Sequence, residues 1–225
     1  LDDDRQADAA INLVRAILDR CPGVKLLITS REALQIAAEW RLSLEGLAYA
    51  RNTTSEIDGY GATQLFLQTA VQVQPGFALT ENTTPLVRRI CQLTAGTPLA
   101  LKLAATWLRA ISLTRIVAEM EKSLDVLTTN LRDVPARQRN MRAIFDYTWA
   151  LLRPPEQAVL AQTAVFPAEF SRAAALAITH ASLGNLMALV DKSLLRPVQS
   201  GRYLMHGLVR QYAAAQLAGR AGEET

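Results

Sequence analysis

The stretch that most constrains this chain is Cys91-Gln92-Leu93-Thr94-Ala95-Gly96-Thr97-Pro98-Leu99-Ala100-Leu101-Lys102-Leu103-Ala104-Ala105. Its character changes at Gly96. Before it, residues 85–93 read as a short amphipathic helix. Gly96 breaks that helix, because glycine alone takes positive φ without strain. Thr97 suits an N-cap and Pro98 suits the first helical position. Leu99, Leu101, Leu103 and Ala104 then open a second, strongly apolar helix. The expectation is helix, tight turn, helix. A proline ring at such a turn also offers a flat face to a planar ligand, although the tripeptide alone reads first as an ordinary helix start.

The chain has 225 residues, enough for one large domain or two to three small ones. Half are hydrophobic and a fifth are charged, so a core can be buried. Few aromatics and abundant Ala and Leu favour helices. A net charge of +3 is too small to imply nucleic acid or an anionic membrane by itself. Cys21 and Cys91 have neither metal-ligand spacing nor a pairing pattern, and reduced thiols in the cytoplasm are expected. No apolar run is long enough to span a bilayer and no signal-peptide pattern opens the chain. Leu1 in place of Met suggests a piece of a longer protein.

Along the chain, residues 7–20 place Ala10, Leu13, Val14, Ile17 and Leu18 on one helical face, and Cys21-Pro22-Gly23 stops the helix. Residues 24–28 have the length and apolarity of a strand buried on both faces. Residues 40–44 alternate like another strand. This reads as part of a doubly wound sheet. Residues 50–59 are polar and linker-like. From residue 61 to residue 127 the pattern is helical throughout. Residues 133–140 form a second linker-like stretch. Helices are then expected over 141–152, 155–164, 171–178 and 182–192. A hairpin over 194–198 and 202–205, with Gly201 in its turn, precedes a closing helix over 206–217. Helices followed by a short hairpin are the order of a winged helix-turn-helix. The fold class is therefore mainly α with a small β component.

The motifs exclude as much as they suggest. The chain holds no G-x-x-x-x-G-K-[ST] phosphate loop, no readable Ser/His/Asp constellation, and only His180 and His206, neither near a cysteine in sequence. No catalytic or metal-ligating residue is assigned. Arg31, after a buried run and Thr29-Ser30, has the fixed charge and fork geometry that suit phosphate; a solvated arginine at a strand end is the plainer reading. Leu1-Asp2-Asp3-Asp4 carries acids that could hold a metal or simply favour a helix N-terminus. The second helix of the helix-turn-helix offers mostly Leu, Met, Ala and Val, with Asn185, Asp191 and Lys192, and the wing only Arg202. That argues against major-groove readout. Arg132, Arg137, Arg139 and Arg142 read as a solvated face that could also touch phosphates. His206, just after the hairpin, could bond a phosphate or a backbone carbonyl, or serve as a core or capping residue.

Five blocks in order carry a resemblance: residues 25–32 (KLLITSRE), 96–101 (GTPLAL), 138–149 (QRNMRAIFDYTW), 189–195 (LVDKSLL) and 203–212 (YLMHGLVRQY). The order resembles the NB-ARC-type STAND ATPases, in particular their bacterial signalling and transcription-regulator branch, over nearly the whole chain. The resemblance implies that residues 1–50 are the carboxyl-terminal part of a P-loop NTPase domain, a remnant of its α/β sheet. It implies a helical lid domain over 51–130, a winged-helix domain over 131–219 and a tail over 220–225. It implies ADP or ATP as ligand, with Mg²⁺ in a full-length protein. Arg31 would stand at the sensor position for the γ-phosphate. Gly96 and Pro98 belong to the G-x-P motif, with Pro98 packed on adenine. His206 matches the histidine of the Met-His-Asp motif, which contacts the β-phosphate of ADP. Gly207 stands where that motif has Asp, Thr97 replaces the commoner Leu, and the Walker A loop is absent.

The expected function is the regulatory portion of a nucleotide switch, controlling self-association and effector domains in a longer protein. Hydrolysis would belong only to that longer protein. The alternatives are a winged-helix DNA-binding regulator module and an interaction scaffold without nucleotide chemistry.

Overall fold

The computed structural model describes residues 4–30, 33–52, 56–128, 139–198 and 201–223. Helix α1 spans Asp4–Arg20. Four helices follow, α2 (Gly61–Val73), α3 (Thr84–Leu93), α4 (Pro98–Thr106) and α5 (Leu113–Lys122). The rest comprises α6 (Met141–Ala150), α7 (Pro154–Thr163), β1 (Phe170–Ser171), α8 (Arg172–Thr179), α9 (Leu183–Asp191), β2 (Leu195–Pro197), β3 (Arg202–Met205) and α10 (Gly207–Glu223). The architecture is mainly helical with one three-stranded antiparallel sheet, ordered β1-β3-β2.

Helices α2 to α5 bury one core around Phe66, Ile90, Leu101, Leu103 and Ile116. Helices α7 to α9 and the sheet bury another around Leu160, Phe170, Leu186, Leu189 and Met205. The order α7-β1-α8-α9-β2-β3 around that sheet matches the order expected of a winged helix-turn-helix. Strand β1, only two residues long, has no sequence alternation to reveal it; it forms because Phe170 and Ser171 pair with Tyr203 and Arg202. The hairpin expected over 194–205 is present, with Leu195 opposite Met205 and Arg196 opposite Leu204.

The strands expected over 24–28 and 40–44 do not form. Both segments carry neither helix nor strand, and Leu27, Trp40, Leu42 and Leu44 are exposed. A strand is stabilised by the strands beside it, and those of the described residues all belong to the winged helix. The helical pattern expected out to residue 127 is interrupted after Lys122. Ser123 takes an extended conformation, and its hydroxyl caps a short 3-10 turn by accepting the Asp125 N–H.

Candidate functional site

Helix α3 ends in two left-handed residues, Ala95 at φ 45° and Gly96 at φ 70°. Their N–H groups return to the carbonyls of Gln92 (3.0 Å) and Cys91 (3.1 Å), which satisfies the helix end. Thr97 is extended, and Pro98 starts α4. The helix-turn-helix expected around Gly96 is present. Gly96 meets a second demand that the sequence did not advertise. The backbone at 46–47 crosses the turn, and the Leu47 N–H donates to the Gly96 carbonyl at 2.9 Å. A Cβ on Gly96 would overlap the Leu47 carbonyl oxygen, and one on Gly46 would overlap that of Ala95.

Thr97 occupies the N-cap position, but its hydroxyl accepts no capping bond from α4. It lies 3.2 Å from Nε2 of His206, 109 residues away in sequence. His206 joins β3 to α10, and its Nδ1 accepts the Leu208 N–H at 3.1 Å. With Nδ1 accepting, the proton of a neutral imidazole sits on Nε2, shared between Thr97 Oγ1 and the Thr94 backbone; this tautomer follows from the hydrogen bonds. Burial holds the His206 pKa below its ordinary value. A hydrogen bond to the Thr94 backbone opposes the shift, and the charge of Arg196 adds to it. The ring is therefore neutral at pH 7, a directed donor rather than a cation.

The fold brings Gly96, Thr97, Pro98 and His206 to one junction between α3, α4 and α10. Gly96 is buried, Thr97 and His206 are half-buried, and Pro98 is exposed. Arg31 lies outside the described residues. At Gly207 a Cβ would stand 3.7 Å from the Leu93 carbonyl oxygen, an ordinary contact, so space does not demand glycine there. Three participants escaped the sequence: the Thr97 hydroxyl, the Gly46–Leu47 crossing and Arg196. Only Thr97 had a signal, and it pointed to capping. An open cleft of about 580 Å³, lined by Gly76, Phe77, Thr80, Arg109 and Ser112 among others, contains none of the expected site residues.

The second candidate surface is the helix-turn-helix. Helices α8 and α9 meet at 109° across residues 180–182, within the range of DNA-reading pairs. His180 ends α8 at φ 52°. The Ser182 hydroxyl accepts the Asn185 N–H at 3.1 Å, and Asn185 Oδ1 accepts the Ser182 N–H at 3.1 Å, a reciprocal cap that fixes the start of α9. Leu186 and Leu189 are buried. The opposite stripe is Gly184, Met187, Ala188 and Asp191, which carries no side chain able to donate to base edges. No single helix among the described residues is long and apolar enough to cross a membrane.

Comparison with known proteins gives a consistent but partial picture. No family model matches the chain. It is 33% identical over 228 residues to proteins of Mycobacterium bovis and Mycobacterium tuberculosis, each named "Putative HTH-type transcriptional regulator". The match covers 96% of this chain and 24% of each relative. It is 28% identical over 223 residues to an uncharacterized protein of Mycobacterium tuberculosis, covering 94% of this chain and 54% of that one. The chain thus spans about a quarter of the length of the named relatives and about half of the other.

Proposed function

We propose that this chain is the regulatory part of a transcriptional regulator, in which a winged helix is latched to a helical unit at Gly96-Thr97-Pro98 and the latch answers to a bound adenine nucleotide. The helix-turn-helix topology and the names of the relatives support the regulator reading. The observation that carries the latch is the 3.2 Å contact between Thr97 Oγ1 and His206 Nε2. Two segments far apart in sequence, each singled out by the resemblance to NB-ARC-type STAND ATPases, meet there. In this reading Pro98 offers its exposed ring to adenine, and His206, a neutral donor on Nε2, exchanges the Thr97 hydroxyl for a phosphate oxygen. Arg31 senses the γ-phosphate. Ligand binding then shifts the winged helix between a docked and a released population.

The test is the ADP retained by the intact gene product after purification, for the parent and for His206→Ala. A drop of tenfold or more in retained nucleotide supports the reading. Equal retention removes His206 from the site, and absence of nucleotide affinity in both proteins removes the nucleotide.

A second reading is direct DNA contact by the winged helix. The 109° helix pair favours it; the donor-poor outward stripe of α9 weighs against it. It requires duplex affinity that falls steeply with salt, and a protein that shifts no duplex at low salt excludes it.

A further inference from the structure

The second helix of the helix-turn-helix is tethered at its C-terminal end in this structure, while Gly184 and Met187 on its outer stripe are exposed. Residues 33–45 run alongside it. The Ala33 N–H lies 3.4 Å from the carbonyl of Asp191, at the end of α9. Arg41 donates to Asp191 Oδ1 at 2.9 Å and to Glu39 Oε2 at 3.2 Å. Glu45 pairs with Arg196, on the first strand of the wing. Ala33 and Gln35 share a cavity of about 250 Å³ with Gly184, Met187, Ala188 and Asp191. Those four positions are spaced i, i+3, i+4 and i+7, so they are one stripe of α9, the stripe turned away from the buried Leu186 and Leu189.

The segment is built to hold its shape. Glu39 accepts the N–H groups of Leu34 (3.0 Å) and Gln35 (3.1 Å), closing a turn that places Arg41 opposite Asp191. Its charges are complementary to those it meets: Arg41 faces an acid and Glu45 faces a base. Two residues beyond Glu45, Leu47 is bonded to Gly96. One segment therefore touches the end of α9, the wing and the Gly96 turn.

We propose that residues 33–45 are an autoinhibitory strap that clamps the winged helix at the end of α9 and at the first strand of the wing, and that its release frees the helix-turn-helix. The strap is held by exposed ion pairs, which are individually weak and screened by salt, so a competing ligand or partner needs only a small differential affinity to displace it. The proposal does not depend on a nucleotide.

The test is amide hydrogen exchange, resolved by peptide, on the 225-residue chain. Reversing both strap charges (Arg41→Glu with Glu45→Arg) leaves net charge unchanged and turns the two attractions to the winged helix, and the one between positions 41 and 39 within the strap, into repulsions. The expected result is about three- to tenfold faster exchange at residues 33–41 and at the end of α9, with α7 and the start of α10 unchanged as a control for folding. Adding Asp191→Arg and Arg196→Glu restores the complementarity across the contact and should restore slow exchange at the end of α9. The milder Asp191→Asn should give a smaller rise and serves if the reversal variants fail to fold. Raising ionic strength from 0.05 to 0.5 M should loosen the parent strap but leave exchange in α7 unchanged. Unchanged exchange in the reversed chain overturns the proposal, as does a rise that the compensating reversals leave in place.

Discussion

At the residue scale the turn sets two requirements on Gly96, and they can be separated by experiment. Gly96 and Gly76 both have positive φ, 70° and 88°. A Cβ on Gly76 meets nothing within 4 Å, whereas one on Gly96 runs into the Leu47 carbonyl. Gly76→Ala should cost about 1 kcal/mol, the conformational penalty alone. Gly96→Ala should cost about 3 kcal/mol or more, because the crossing backbone must move as well. Urea denaturation of the two variants measures the difference, and equal costs would mean that the 46–47 crossing yields easily. His206 gives a second prediction. Its folded pKa lies below the ordinary 6.5 because burial penalises the charged ring. Its stabilising contribution is then complete above about pH 6.5 and is lost as the pH falls through the folded value, since the unfolded chain takes up the proton first. His206→Gln should flatten the stability profile between pH 6.5 and 5, and an unchanged slope would place that acid sensitivity elsewhere. The glycine, the proline and the histidine were legible because each is a rare residue at a conspicuous place. The hydroxyl of Thr97 was not. Local rules send an N-cap hydroxyl to its own helix, and only a tertiary contact with His206 redirects it.

At the scale of elements, helices were legible and lone strands were not. Apolar positions three and four apart mark α2, α3 and α5 whatever their neighbours do, because a helix satisfies its own backbone. Residues 24–28 and 40–44 have strand composition, yet a strand borrows its hydrogen bonds from another strand, and a sequence pattern carries no record of the partner. The same limit hid β1. Helix α7 shows how a charged residue can be core. Glu156 is 1% exposed and accepts the Arg153 N–H at 2.9 Å, the Arg153 guanidinium at 2.8 Å and the Lys192 ammonium at 3.0 Å. Burial pushes its pKa up, but these donors outweigh burial and hold it below the ordinary carboxylate value. Its contribution is thus present above about pH 4.5 and lost as the pH falls through the lower folded value. Glu156→Gln should cost about 2 kcal/mol at pH 7, below the full penalty for breaking a buried pair because the Arg153 side chain remains solvated. The loss should shrink in acid. A loss of stability that stays constant down to pH 3 would show that shape rather than charge holds α7 to α9.

At the scale of the whole molecule, α10 decides whether the helical unit and the winged helix behave as one body. Leu208 and Tyr212 enter the core built by α2 to α5, while Val209 and Ala213 enter the core of the winged helix. Each pair is spaced by four, so the two pairs are adjacent stripes on one helix. Tyr212 also packs on Phe145 and Trp149, and its hydroxyl donates to Asp146 on α6 at 2.7 Å. His206 stands at the N-terminal end of this helix, so a change in its partner is transmitted to a rigid rod seated in both cores. If α10 unites them, the 225-residue chain should unfold in one cooperative transition. Leu208→Ala, in one core, should lower that single transition by about 2–4 kcal/mol, and Val209→Ala, in the other, by about 1–2 kcal/mol. Fluorescence of Trp149, which packs against both cores, and far-ultraviolet circular dichroism should report the same midpoint in each variant. Two separated transitions, with Leu208→Ala moving only one of them, would show two independent bodies; a ligand at His206 would then act on the winged helix without reaching α2 to α5. Coincident transitions would instead make α10 the element through which the Gly96 junction and the helix-turn-helix exchange strain.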